Sequence, residues 1–151
     1  MKLGVVMDPI ESINFKKDST LAMMLEAQAR GHQLYYMTPN SLYLNESGAH
    51  ALSNTITVKN DSAGWFKFNE KKQIKLSELD VILMRQDPPF NSNFIYNTYV
   101  LESAEREGVL VVNKPGSLRD CNEKVFATEF PECCTPFLVT SKASILKSFI
   151  E

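Results

Sequence analysis

The groups best placed for chemistry in this sequence are Asp8, Arg85, Asp87 and Lys124. Asp8-Pro9 closes an apolar run that starts after Lys2, and Arg85-Gln86-Asp87-Pro88 closes a second, Val81-Ile82-Leu83-Met84. Both runs are short enough to be single buried strands. If those strands are parallel, both loops open on the same edge of the sheet, the edge where open α/β folds bind ligands. Arg85 offers a planar fork suited to a carboxylate or a phosphate. It has an alternative role, pairing with Asp87 or Asp8 and only stiffening the loop. Pro88 and Pro89 lack backbone donors and restrain the residues before them, so the loop after Arg85 is rigid in either case.

Lys124 follows an Asp120-Cys121-Asn122-Glu123 stretch with capping-box form, aspartate then glutamate three residues later. It could present an ammonium to a phosphate, or simply be solvated. Cys121 has a thiol but no histidine nearby to activate it, which favours an incidental cysteine. Lys114-Pro115-Gly116 lacks the GxxxxGK[ST] form of a phosphate loop and reads as a connector. Tyr35-Tyr36 and Trp65-Phe66 read as core rather than stacking platforms.

The elements that must position these groups follow from periodicity. Residues 2–7 form a first strand, residues 20–30 a helix preceded by Ser19 and closed by Gly31, and residues 33–37 a second strand. Residues 38–79 change character, with short antiparallel strands at 43–44, 50–59 and 65–69 around a turn at 45–48. Ser77-Glu78-Leu79 is a helical turn into the strand that ends at Arg85. The longest helix spans about 91–107, closed by Gly108, and its apolar first half expects burial, including against a partner chain. A strand at 109–112 completes a second βαβ unit. Two such units around a mixed insertion predict an α/β fold with a doubly wound, largely parallel sheet. Beyond Asp120 the pattern predicts a short helix carrying Lys124, Val125, Phe126 and Phe130, a strand at 135–140 and a helix from Ser141. That last helical pattern is still running at Glu151, so the chain is expected to be a piece of a longer protein.

Composition narrows the class. The 151 residues suffice for one ordinary domain or one domain and part of another. A net charge of -2 carries no nucleic-acid footprint. No run reaches the roughly 18 apolar residues of a membrane span, and the stretch between Lys2 and Asp8 is too short for a signal-peptide core. Three cysteines without CxxC spacing give no disulfide framework, and two histidines give no zinc cluster, so the cytoplasm is the expected compartment.

Several stretches together resemble bacterial glutathione synthetase. They are Lys2-Leu3-Gly4-Val5-Val6-Met7-Asp8-Pro9-Ile10, Lys16-Lys17-Asp18-Ser19, Met84-Arg85-Gln86-Asp87-Pro88-Pro89-Phe90, Val112-Asn113-Lys114-Pro115, and Leu118-Arg119-Asp120-Cys121-Asn122-Glu123-Lys124. The resemblance is collinear over nearly the whole chain. One departure is Gln86, where the family commonly has lysine, so no charge is available there.

The resemblance implies a Rossmann-like, pre-ATP-grasp N-terminal domain at residues 1–118 and the first, incomplete elements of an ATP-grasp domain at 119–151. It implies a ligase that uses ATP and Mg2+ to activate γ-glutamylcysteine as an acyl phosphate, which glycine attacks to give glutathione, ADP and phosphate. By resemblance Arg85 helps hold the dipeptide carboxylate, the loops bearing Asp8 and Asp87 shape its pocket, and Lys124 contacts ATP. The second nucleotide lysine, the glycine-rich loop and the magnesium ligands are expected beyond Glu151. Neither catalytic nor metal-binding residues are therefore expected in this stretch, and it should not turn over alone. A homo-oligomer is implied, with no nucleic-acid or membrane partner. Two other readings are a related ATP-grasp amino-acid ligase, and a non-catalytic binding or assembly module.

Overall fold

A computed structural model of the protein describes residues 1–121 and 124–150. Five consecutive small or apolar residues, Leu3 to Met7, can all be buried only in the middle of a sheet covered on both faces. They form β1 (Lys2–Met7) at that place. β1 pairs in parallel with β2 (Gln33–Met37) and with β6 (Val81–Arg85), and β6 pairs in parallel with β7 (Leu110–Val112). These four strands are the parallel portion expected from the two βαβ patterns.

The crossover helices pack on opposite faces. Leu21 and Met24 of α1 (Ser19–Ala29) join Leu3, Val5 and Met7, whereas Phe94, Leu101 and Ala104 of α2 (Ser92–Arg106) join Val6, Ile82 and Met84. Fully burying one such large side chain contributes about 1.5–3 kcal/mol, against about 0–1 kcal/mol for an exposed ion pair. Apolar packing therefore decides where the helices sit. Asp18, not Ser19, caps α1, its Oδ1 accepting from the Leu21 N–H at 2.7 Å. Gly31 follows the helix at φ 77°, the left-handed geometry expected there.

The middle segment is antiparallel. β3 (Leu42–Asn45) and β4 (Gly48–Val58) form a hairpin, and β5 (Phe66–Lys75) runs back along β4. β4 also pairs antiparallel with β2, so the sheet runs β3-β4-β2-β1-β6-β7 with β5 attached to β4. A 3-10 turn, Leu76–Glu78, leads into β6.

Four expectations for the later chain need correction. Lys114-Pro115-Gly116 does not act as a bare connector: Pro115 occupies the first turn of α3 (Pro115–Asp120), where a missing N–H is harmless. Asp120 closes α3 rather than opening the next helix, and Asn122 and Glu123 of the supposed capping box lie outside the described residues. In place of a helix carrying Lys124 to Phe130 there is a turn and a 3-10 segment, Phe126–Glu129. Residues 135–140 form no strand, because no described strand stands beside them to complete a ladder. The final helix is present as α4 (Ala143–Ile150). The apolar start of α2 is only partly buried: Phe94 is, but Tyr96 is 67% exposed.

Candidate functional site

The parallel register sets Met7 of β1 opposite Arg85 of β6. The residues that follow, Asp8 and Gln86-Asp87, consequently leave the sheet together at its carboxyl edge. The Asp87 backbone N–H donates to Asp8 Oδ2 at 2.8 Å, tying the two loops. The Pro88–Pro89 peptide bond beyond them is cis.

Arg85 forms its hydrogen bonds with α1. Its Nε donates to Thr20 Oγ1 at 3.1 Å and its Nη2 to Ser19 Oγ at 3.0 Å. Among the described residues Arg85 forms no ion pair, so it does not serve merely to neutralise Asp8 or Asp87. Two neutral hydroxyls orient the guanidinium, which makes no direct ion pair among the described residues. The capping of α1 by Asp18 is what brings Ser19 and Thr20 to that edge. Arg85, Asp87, Asp8, Lys17, Ser19 and Thr20 together line a cavity of about 220 Å³.

The loop between β1 and α1 is pinned by Ile10, which is fully buried. Its N–H donates to Tyr36 Oη at 3.2 Å, and its carbonyl accepts from Trp65 Nε1 at 3.0 Å. Burial pushes the Tyr36 phenol above its ordinary 10.0, the Ile10 N–H opposes this, and the Glu11 and Asp8 carboxylates add to the rise. Tyr36 thus stays protonated as a structural group. Trp65 is partly buried core as expected, yet it also fixes this loop.

Gln86 is held from α2, its Oε1 accepting from Asn97 Nδ2 at 3.0 Å. Asn113 Nδ2 donates to the Met84 carbonyl at 3.0 Å, bracing the end of β6 from the other side. Gln86, Phe90, Phe94, Leu118, Cys121 and Lys124 line a cavity of about 330 Å³. Lys124 is therefore not in the Arg85 cavity. A third cavity of about 250 Å³ shares Gln86 with the first and Asp8 with the Arg85 pocket. The three form one run along the carboxyl edge, with Arg85 at one end and Lys124 at the other.

The Arg85 end carries two cations, Arg85 and Lys17, and three carboxylates, Asp8, Asp18 and Asp87. Charges of both signs within one pocket suit a zwitterion better than a simple anion. Cys121 is exposed beside Lys124, and neither histidine lines any of these cavities, so a thiol nucleophile lacks its base. Among the described residues no three His, Cys, Asp or Glu side chains stand close enough to hold a metal ion. No helix among them is long and apolar enough to cross a membrane.

Sequence reasoning missed Ser19, Thr20, Asn97 and Trp65 as supports of this edge. Only the Lys16-Lys17-Asp18-Ser19 stretch carried any signal, through its place in the resemblance.

Residues 1–119 match the family described as prokaryotic glutathione synthetase, N-terminal domain. The chain is 57% identical to glutathione synthetase of Vibrio cholerae over 151 residues, which is 100% of this chain and 48% of that protein. It is 56% identical to glutathione synthetase of Pseudomonas putida over 149 residues, 99% of this chain and 47% of that protein. Identity to the Buchnera aphidicola subsp. Schizaphis graminum glutathione synthetase is 54% over 149 residues, 99% of this chain and 47% of that one. The chain spans about half the length of the curated relatives it matches. With a family match over most of its residues and relatives similar along its whole length, the chain belongs to the prokaryotic glutathione synthetase family, through that family's N-terminal domain.

Proposed function

We propose that the chain is the substrate-side part of a glutathione synthetase, a carbon–nitrogen ligase joining γ-glutamylcysteine to glycine at the expense of ATP. The observation that carries this is the run of cavities along one sheet edge, from the mixed-charge pocket at Arg85 to the cavity at Lys124. The glutamyl end of the dipeptide bears both an α-carboxylate and an α-ammonium. Arg85 and Lys17 match the first, and Asp8 and Asp87 the second. Lys124, at the far end, holds a nucleotide phosphate.

ATP supplies the phosphoryl group that activates the cysteinyl carboxylate, so that the amine of glycine can displace phosphate. The protein's own part is to place and neutralise charge, which is most of what phosphoryl transfer requires. Lys124 offers a phosphate one cation, and the otherwise largely apolar wall of its cavity suits the base or another apolar part of a nucleotide rather than its phosphates. Mg2+ does not fit these residues, since no three His, Cys, Asp or Glu side chains among those described stand close enough together to hold a metal ion. The resemblance assigns its ligands, the glycine-rich loop and the second lysine to sequence beyond Glu151. Residues 1–118 are accordingly read as the pre-ATP-grasp domain and 119–151 as the start of the ATP-grasp unit. The exposed Tyr96 suits contact between subunits of a homo-oligomer. Free thiols, and no membrane-length helix among the described residues, suit the cytoplasm.

The test is to supply the full-length protein with ATP, γ-glutamylcysteine and glycine and identify the product. Glutathione and ADP in equal amounts are expected, with no ADP from the 151-residue chain alone. Preference for a different acid or amine would indicate a related ATP-grasp ligase. Substrate binding without turnover would indicate a non-catalytic module.

A further inference from the structure

Arg119, in the last turn of α3, lies flat against one stripe of α2. Its Nη1 donates to Thr98 Oγ1 at 3.0 Å and its Nη2 to Glu102 Oε1 at 2.8 Å, while the guanidinium carbon sits 4.5 Å from the centre of the Tyr99 ring. Thr98 is fully buried and gives its own hydroxyl proton to the Ile95 carbonyl at 2.6 Å, leaving its oxygen as an acceptor for Arg119. Only 19% of the Arg119 side chain is exposed. The donors of a guanidinium are fixed in one plane. Meeting two acceptors one turn apart, with an aromatic face alongside, selects one placement of α3 on α2.

The same helix holds the opposite wall of the cavity. Asn97, next to Thr98, fixes Gln86, which belongs to the rigid loop after Arg85. α2 therefore carries the Gln86 loop directly and, through Arg119, α3, whose Leu118 lines the same 330 Å³ cavity as Gln86 and Lys124.

We infer that Arg119 is a positioning residue for the ligase reaction, setting where the α3 wall of the Lys124 cavity stands relative to the acyl-substrate loop. The inference rests on the reading of Lys124 as a nucleotide-binding group. Arg119 touches no substrate. It acts by removing the freedom of α3 to slide or rotate on α2, and so holds the Leu118 and Cys121 wall of that cavity in place. Reacting groups displaced by about 1 Å can cost roughly a hundredfold in rate, so the fixed placement matters more than its contribution to folding.

The test is steady-state kinetics on the full-length protein, varying ATP and γ-glutamylcysteine separately. Arg119→Met keeps the chain length and removes both donors. It should lower kcat/KM for ATP by about ten- to a hundredfold and leave KM for γ-glutamylcysteine within about twofold. Arg119→Lys should restore only part of the loss, because a point charge cannot make the two-pronged contact. Glu102→Gln, which preserves shape, should show a smaller loss in the same parameter and serves if Arg119→Met does not fold. Unchanged ATP kinetics in a folded variant, an equal loss for both substrates, or a lowered melting temperature alone would overturn the role of Arg119. A wild-type protein with no glycine-dependent ADP release would overturn the ligase reading first, which keeps the two failures distinct.

Discussion

Asp8 Oδ2 accepts the Asp87 backbone N–H at 2.8 Å, so two loops 79 residues apart meet in one charge-assisted hydrogen bond at the sheet edge. The bond exists because β1 and β6 are adjacent and in parallel register, with Met7 opposite Arg85. Asp8→Ala removes the acceptor and should lower the free energy of unfolding by about 0.5–1.5 kcal/mol in urea titration. Asp8→Asn keeps an acceptor and should lose less. Equal stability in all three proteins would mean that the loops are not tied in solution.

Thr20 is 4% exposed and accepts from Arg85 Nε. Thr20→Val retains the positive charge but loses its aim. The full-length variant should need several-fold more γ-glutamylcysteine for half-maximal rate, while its KM for ATP is unchanged. A variant that matches wild type in both would show that Arg85 needs no orientation from α1.

Gly48 sits at φ 118°, and a Cβ there would strike Glu107 Oε1 and approach Lys75 Cε to 3.0 Å. Gly48→Ala combines a left-handed backbone with a clash and should cost about 1–3 kcal/mol. Gly64→Ala is the control, because a Cβ at that position meets nothing within 4 Å. It should leave the melting temperature unchanged or slightly raised.

Lys75 Nζ lies 2.8 Å from Glu107 Oε2, joining β5 to the end of α2. Hydrogen bonding from Lys75 leads in holding the Glu107 carboxyl below its ordinary 4.5 against the opposing effect of burial, with Ser77, the Lys75 charge and the Ala49 N–H assisting. A carboxyl lowered in the folded state stabilises above its unfolded pKa, and that contribution disappears as pH falls through the folded value. Wild type should therefore lose more stability than Lys75→Met between pH 6 and pH 3. Parallel pH profiles would contradict this linkage.

Much of this architecture could be read from residue order because the relevant signals are local. Short apolar runs in residues 2–7, 33–37 and 81–85 mark the parallel strands, and the segment 20–30 closed by Gly31 marks α1. Arg85 and Asp87 were legible as a rigid charged loop for the same reason. Their partners were not, since the contact from Arg85 to Ser19 and Thr20 spans 65 or 66 residues and depends on strand register. The strand expected at 135–140 is absent, because a strand needs a neighbour and none among the described residues is beside it. Arg119 stood within a motif, but only the spacing of Thr98, Tyr99 and Glu102 on α2 shows what it grips.

The central claim, that the Arg85 pocket receives γ-glutamylcysteine, is tested most directly by ADP release from the full-length protein with and without Arg85→Ala. Wild type should release ADP only when both γ-glutamylcysteine and glycine are present. The variant should raise KM for γ-glutamylcysteine by about tenfold or more and leave KM for ATP unchanged. Unaltered dipeptide kinetics in a folded Arg85→Ala protein would contradict the account and leave Arg85 as a structural residue.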